Sequence, residues 1–313
     1  VLHKENKRWK DSIKIRLRKE HKDTLINDVL QCASLCVNKN TGAIIGMIDG
    51  RLDFKKNWIN YCFTEKPAGS IFRIFDYYTL FNSHPELTYQ NYVSDKKIEG
   101  NYYPASHTMN SEIPIANAVA ISSNIVPFNL VYTNQITLQK VQEIASIFGV
   151  KVANPQSLNT LIGQDNVSII KMVDVYNTVS NEGVRNSFYY IKKITNRAGK
   201  IIYSREENKS GANLLLNSDA CIQLKHCFNA VINTGGTASF LSSNSFINSN
   251  DCNFGGKTGT TDNASNLWFV GYTPDFTMGI WQGYNYNNIK PAGNAGSDCG
   301  KIWSNIISKY YDN

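Results

Sequence analysis

Residues 254–284 read FGGKTGTTDNASNLWFVGYTPDFTMGIWQGY, and this stretch decides the fold class. It holds three short segments rich in β-branched and aromatic residues, separated by Gly, Asn, Asp and Pro, which predicts three strands joined by turns. Residues 297–311 follow with apolar side chains at helical spacing. We therefore expect the C-terminal part of the chain to be a small sheet closed by a helix.

The rest of the chain adds one hairpin and several helices to this sheet. Two apolar runs within residues 32–50 surround a polar turn at residues 38–42, which predicts a β-hairpin internal to the sheet. Helical periodicity recurs over residues 137–149, 167–183 and 218–236. Helices in the middle and strands at both ends predict an α+β fold, an antiparallel sheet flanked by helices on both faces.

Composition and charge indicate how the chain is divided and which partners it could bind. Residues 1–24 are dense in charge and predict a linker or arm, which leaves residues 25–313 as the domain. The chain begins with Val1 and carries no leader, so we interpret it as a piece of a longer polypeptide. The net charge of +7 suits an anionic partner such as cell-wall polymer or acidic lipid head groups, although solubility alone also explains it. Nucleic acid is not expected as a partner.

The cysteines and histidines do not predict a metal or cofactor site. The seven cysteines are odd in number and include no C-x-x-C pair, so neither a zinc site nor a complete disulfide set is indicated. Cys32 and Cys36 share one face of a predicted strand, which favours packing over chemistry. We expect most of the cysteines to be buried free thiols: Cys32, Cys36, Cys62, Cys221, Cys227, Cys252 and Cys299.

A candidate nucleophile lies at Ser70, where a Pro-Ala-Gly loop meets a helical pattern. Serine is a weak nucleophile, so acyl-transfer enzymes place a base beside it and aim backbone N–H groups at the developing oxyanion. A helix N-terminus supplies such N–H groups. Arg73 follows three residues later on the same helix face, which is the geometry of an S-x-x-K motif with Arg in place of Lys.

Two literal S-x-x-K matches compete with this position. Residues 94–97 fall in a stretch, residues 85–109, that we predict to be a long loop. Residues 168–171 begin with a serine that is typical of a helix N-cap. Neither match outranks Ser70, whose position relative to the motifs that follow decides the choice.

Two further motifs follow Ser70 in order, Ser122-Ser123-Asn124 and Lys257-Thr258-Gly259. The three motifs together are typical of serine β-lactamases and penicillin-binding proteins. Over roughly residues 25 to 310 the chain resembles the transpeptidase domain of bifunctional class A penicillin-binding proteins. The segments that carry the resemblance are NKNTGAIIGMIDG, KPAGSIFRIF, IANAVAISSNIVPFNL, VSIIKMVDVYNTVSNEGV, NTGGTA, GGKTGTTDNASNLWFVGYTPDFTMGIWQGY and AGSDCGKIWSNII.

The resemblance implies roles for five side chains. Ser70 is the expected acylated nucleophile, with Arg73 at the position of the family's base. Ser122 and Asn124 are expected to move protons and hold the substrate amide, and Lys257 to tune the charge of the cleft.

Substrate contacts and partners are implied in the same way. The backbone N–H groups of Ser70 and Thr260 would form the oxyanion hole, and residues of the third motif would bind the substrate: Thr258, Gly259, Thr260 and Thr261. The implied partners are D-Ala-D-Ala stem peptides of peptidoglycan and β-lactam antibiotics. The full-length protein would add an upstream glycosyltransferase domain and a membrane anchor outside this chain. Its place would be the extracytoplasmic face of a bacterial cytoplasmic membrane.

Arg73 departs from the family, because a guanidinium stays protonated and cannot accept the serine proton. Three hypotheses follow: a natural pseudo-transpeptidase, an inactive drifted or engineered copy, or an active enzyme that reaches a base through Ser122 and Lys257. Two other functions compete with transpeptidation. A β-lactamase would need a deacylating base, for which the sequence shows no candidate, and a binding module would hold stem peptides or partner proteins without chemistry.

Overall fold

The computed structural model of the protein describes residues 29–50, 59–104, 106, 108–205, 213–233, 235–247, 251–261, 264–285, 290–291, 293–294 and 296–312. The predicted charged arm, residues 1–24, lies outside these residues, so the domain boundary stays a prediction. In the described part, the strands are β1 (Gln31–Asn38), β2 (Ile44–Ile48), β3 (Lys66–Pro67), β4 (Tyr92–Ser94), β5 (Glu112–Pro114), β6 (Asn166–Val167), β7 (Val184–Arg185), β8 (Lys193–Thr195), β9 (Ile201–Ser204), β10 (Asn213–Leu214), β11 (Gly255–Thr260), β12 (Asn266–Tyr272) and β13 (Phe276–Gly283). The α-helices are α1 (Arg73–Ser83), α2 (Ile115–Ala120), α3 (Val126–Tyr132), α4 (Leu138–Ile147), α5 (Ile169–Ser180), α6 (Ser218–Ile232) and α7 (Lys301–Tyr311).

The main sheet has five antiparallel strands in the order β11-β12-β13-β1-β2. The three C-terminal strands and the β1-β2 hairpin form as predicted. The prediction that the whole hairpin is internal is wrong, because β2 is the edge strand and exposes Ile45 and Ile48 by 50% and 58%. Apolar content alone cannot distinguish an edge strand from a central one, since the neighbouring strand comes from distant sequence.

Helices cover both faces of this sheet. The pairing of Val270 with Gly279, and of Gly271 with Met278, places the two glycines on opposite faces. A methyl group on Gly279 would lie 2.7 Å from Val173 of α5, whereas one on Gly271 would lie 2.8 Å from the Trp303 ring of α7. The α+β prediction, with helices on both faces, is therefore confirmed, and β12 and β13 are buried along their full length.

The remaining helices surround α1, whose residues are buried from Arg73 to Phe81. Helix α6 packs against both α1 and α2, and α4 packs against α1. The segment predicted as a long loop, residues 85–109, contains β4, which pairs with β5 through Val93 and Ile113. No helix among the described residues is long and apolar enough to span a bilayer.

All seven cysteines are free thiols. Cys62, Cys221, Cys227 and Cys299 are buried, as expected for most of them. Cys32 and Cys36 share a strand face as predicted, but it is the half-buried face, because the alternate residues of β1 point into the core.

Candidate active site

Ser70 lies on a short 3-10 turn, Gly69–Phe72, which leads directly into α1. Distant segments fix this turn through its backbone. The Gly69 N–H donates to the carbonyl of Gly163 at 2.9 Å, and the Tyr176 hydroxyl donates to the carbonyl of Ile71 at 3.1 Å. The half-buried Ser70 side chain therefore starts from a rigid support.

The end of β11 packs against the same turn at very short range. Gly69 has φ +54°, and a methyl group there would lie 2.6 Å from the carbonyl oxygen and 3.0 Å from the nitrogen of Thr260. A methyl group on Gly259 would lie 2.8 Å from the Ile71 side chain. Glycine at both positions lets the strand that carries the third motif reach the backbone around Ser70.

The second motif forms the turn that ends α2. The Ser123 N–H donates to Ala118 O at 3.0 Å and the Ser122 N–H donates to Val119 O at 3.1 Å, which is the hydrogen-bond pattern of a Schellman motif. Ser122 takes the left-handed position with φ +58°. That position usually holds glycine, so the backbone at Ser122 is strained.

Lys257 links the second and third motifs. Its ammonium nitrogen donates to the Ser122 hydroxyl at 2.9 Å and to the carbonyl oxygen of Thr258 at 3.1 Å. The side chain is fully buried, and this burial, assisted by the positive charge of Arg73, lowers the pKa of Lys257 well below its ordinary value of 10.5. Burial thus favours the neutral form of this amine, which can accept a proton, within hydrogen-bond distance of Ser122.

Arg73 points at the second motif instead of at the candidate nucleophile. One guanidinium nitrogen donates to the Ser123 carbonyl and another to the Asn124 side-chain oxygen. Among the described residues, no hydrogen bond joins the Ser70 hydroxyl to Arg73 or to any other group. Arg73 therefore holds the Ser122 turn by two contacts.

Two further polar groups are buried on α1 beside Arg73. Asp76 and Tyr77 are fully buried, and neither carboxylate oxygen of Asp76 has a hydrogen-bond partner in the part of the chain that the structure describes. Burial raises the pKa of Asp76 well above 3.8, and the charge of Arg73 opposes this shift. Burial also lowers the pKa of Arg73, against the opposing influence of Tyr77 and Asp76, but a guanidinium remains charged at neutral pH.

The remaining residues of the third motif lie near the end of β11. The Thr258 hydroxyl lies 2.8 Å from the Thr237 hydroxyl, and the Thr237 N–H donates to Ala120 O at 3.0 Å, which ties β11 to the end of α2. Thr260 is exposed, and Thr261 follows with its N–H directed at Asn266 O at 3.3 Å. The substrate and oxyanion roles of these residues stay predictions.

Sequence reasoning missed two residues that fix the site. Thr237 lies in a segment that carried the resemblance without any role. Asp95 fell within the rejected match at residues 94–97, yet its carboxylate accepts a hydrogen bond from the Ser123 hydroxyl. A lone aspartate in a polar segment gives no signal of such a contact. Among the described residues no three His, Cys, Asp or Glu side chains are grouped to hold a metal ion.

The fold and this arrangement define a class: α+β proteins in which the Lys-Thr-Gly edge strand meets a serine-bearing turn, as in penicillin-binding proteins. A family model described as the penicillin binding protein transpeptidase domain matches residues 33–307, and the chain belongs to this family. The resemblance predicted from the motifs is therefore confirmed.

Individual relatives agree with this assignment. The chain is 25% identical over 292 residues to penicillin-binding protein 2D of Bacillus subtilis, covering 89% of the chain and 40% of that relative. It is 24% identical over 291 residues to penicillin-binding protein 1A of Neisseria lactamica, covering 88% of the chain and 35% of the relative. The chain thus spans well under half the length of these curated relatives.

Solved structures share the fold. Penicillin-binding protein 1A from Haemophilus influenzae superposes with a TM-score of 0.76 at 17% identity, over 91% of this chain and 48% of that one. PonA1 from Mycobacterium tuberculosis superposes with a TM-score of 0.71 at 17% identity, over 93% of this chain and 79% of that one.

Proposed function

We propose that this chain is a peptidoglycan D,D-transpeptidase domain that forms an acyl-enzyme at Ser70, with Lys257 and Ser122 moving the proton. The observation that carries the proposal is the 2.9 Å hydrogen bond between Lys257 Nζ and Ser122 Oγ, formed by a buried lysine whose pKa is lowered. Because Arg73 cannot act as a base, the amine of Lys257 takes over that role.

In this mechanism, Ser70 Oγ attacks the carbonyl carbon of the penultimate D-Ala of a stem peptide. The Ser70 proton passes to Ser122 Oγ as Ser122 gives its own proton to the neutral amine of Lys257. The proton then returns along the same route to the nitrogen of the departing D-Ala. An amine from a neighbouring strand takes the acyl group and restores Ser70.

Backbone N–H groups of Ser70 and Thr260 would stabilise the oxyanion of each tetrahedral intermediate. The backbone of Thr260 packs closely against Gly69: a methyl group on Gly69 would lie 2.6 Å from the Thr260 carbonyl oxygen. This proximity supports the pairing of the Ser70 and Thr260 N–H groups. Thr258, Gly259, Thr260 and Thr261 would bind the substrate along β11. A β-lactam would acylate Ser70 by the same step, and the PonA1 structure in complex with penicillin V shares the fold at a TM-score of 0.69.

The full-length protein would place this domain on the outer side of a bacterial cytoplasmic membrane, behind a glycosyltransferase domain and an anchor. The low share of the relatives that the chain covers, 40% for the Bacillus subtilis protein, supports such additional parts.

A binding module without chemistry is the second candidate function. It is favoured by one observation: both terminal nitrogens of Arg73 donate to Ser123 and Asn124, and within the described part of the chain no hydrogen bond joins Arg73 to the Ser70 hydroxyl. Such a module would hold stem peptides or partner proteins in the same cleft.

Intact mass measurement after incubation with a labelled penicillin tests both candidates. We expect an adduct on the unmodified chain that is absent from Ser70→Ala. The acylation rate should rise with pH as a single group with a pKa below 10.5 loses its proton. Only the neutral form of Lys257 accepts a proton, and this form dominates at pH values above the lowered pKa. Arg73→Lys is the matched comparison. An adduct on Arg73→Lys alone would reject the enzyme and support the binding module.

A further inference from the structure

We propose that Asp95 is a positioning residue of this site, whose carboxylate holds the turn that directs Ser122 at Lys257. The inference rests on the proposed function and assigns a task to a residue outside the three motifs. Asp95 follows β4 and is fully buried. It reaches the second motif through a hydrogen bond from the Ser123 hydroxyl to one carboxylate oxygen.

The loop around Asp95 fixes its carboxylate before it meets the turn. The Asp95 N–H donates to Ser111 O at 3.0 Å. The Thr108 hydroxyl donates to the Asp95 carbonyl and lies 3.1 Å from the second carboxylate oxygen, which accepts from the Met109 N–H. These contacts leave the first oxygen facing Ser123, so each oxygen of this buried carboxylate has a donor.

Ser123 transmits this anchor to both neighbouring helices. Its hydroxyl donates to Asp95 and accepts from the N–H groups of Ile125 at 3.0 Å and Val126 at 3.2 Å, at the start of α3. Its own N–H closes the end of α2 at Ala118. Ser123 therefore joins the start of α3 and the Asp95 loop through its side chain, and the end of α2 through its backbone.

The strained backbone of Ser122 explains why such an anchor is needed. A serine at φ +58° would relax to an extended or right-handed conformation unless its neighbours are held in place. Arg73 holds the turn through the Ser123 carbonyl, and Asp95 holds it through the Ser123 hydroxyl. A hydrogen bond to a carboxylate is stronger than one between neutral groups, so the loss of Asp95 should release Ser122 from Lys257.

The variants Asp95→Ala and Ser123→Ala remove the two ends of the contact. Ser111→Ala is the matched control, since the Ser111 carbonyl that accepts from the Asp95 N–H belongs to the backbone and is kept. We expect each of the first two variants to reduce the acylation rate by labelled penicillin ~10-fold to ~100-fold, the effect of a small misplacement of reacting groups. The double variant should be no slower than either single one, because both changes break one contact. Ser123→Thr should retain the rate.

A second readout tests the inference even if Ser70 is never acylated. The side-chain NMR signals of isotope-labelled lysine report the surroundings and titration of each lysine. The signal of Lys257 is the one that disappears in Lys257→Gln. Asp95→Ala and Ser123→Ala should shift this signal, and Ser111→Ala should leave it in place. An unmodified chain that forms no adduct rejects the proposed function. A Lys257 signal unchanged in both variants, whatever their melting temperature, overturns the role of Asp95.

Discussion

Ser122 takes a backbone conformation that costs an L-residue about 1–2 kcal/mol relative to a right-handed one. It stands at the position after α2 where a helix commonly ends in glycine, with φ +58°. Glycine would satisfy the turn but could not offer a hydroxyl to Lys257. The site therefore keeps a strained residue where side-chain chemistry is needed.

Comparison of Ser122→Gly with Ser122→Ala measures this strain. Both variants lose the hydroxyl and its hydrogen bond to Lys257, but only glycine relieves the left-handed backbone. We expect Ser122→Gly to be more stable than Ser122→Ala by about 1 kcal/mol in urea unfolding, and both to lose most of the acylation. Equal stability of the two variants would show that the turn is not strained.

Arg73 stands where the family's motif has Lys, and its role in this chain depends on the buried groups around it. The sequence indicates that the family's base is missing. The contacts of the Arg73 guanidinium could not be predicted, because Ser123 and Asn124 lie about 50 residues away along the chain. Buried charge usually needs a partner. Here the partners are the Ser123 carbonyl and the Asn124 side-chain oxygen.

At the scale of elements, the site depends on the contact between strand β11 and the turn before α1. Sequence periodicity predicts both elements separately. Their approach is set by Gly259, since a side chain there would meet the Ala68 carbonyl at 2.9 Å and the Ile71 side chain at 2.8 Å. The same motif therefore supplies Lys257 on one position and close packing two residues later.

Gly259→Ala should separate β11 from the Ser70 turn. We expect acylation to fall by ~100-fold, since a shift of about 1 Å between reacting groups has effects of this size. Gly46→Ala on β2 is the control, because its methyl group would lie 3.8 Å from Cys36, an ordinary contact. Acylation of Gly259→Ala at the rate of the control would show that the packing distance is unimportant.

At the scale of the whole molecule, the sheet and its two helix layers form one core that supports the cleft. Trp303 of α7 is fully buried and packs edge-on against Phe269 of β12, with ring centroids 5.3 Å apart. On the opposite face α5 packs against Gly279. The stability of the site thus depends on a helix near the end of the chain.

Trp303→Ala should lower the free energy of unfolding by about 3–5 kcal/mol, the usual effect of deleting a large buried aromatic side chain. Ile306→Ala, three residues along the same helix and 36% exposed, is the control, with an expected change within about 0.5 kcal/mol. Denaturant unfolding measures both. A small effect for Trp303→Ala would mean that α7 contributes little to the core.

Local patterns in the sequence determined the strands of the main sheet, most helices and the three motifs. Hydrophobic period and turn residues act over a few neighbours, so β11, β12, β13 and the helix at α7 could be predicted without knowing what they pack against. The order of the motifs identified the family, which the match over residues 33–307 confirms.

Only the tertiary structure decided which groups meet. Four features depend on residues that are distant in the chain. They are the edge position of β2, the contact of Arg73 with the Ser122 turn, the lowered pKa of Lys257 and the hydrogen bond from Ser123 to Asp95. A hydrogen bond or a desolvated charge depends on distances across the fold, and no local pattern encodes them. The sequence by itself thus determined the elements and the chemistry available, and packing decided how that chemistry is arranged.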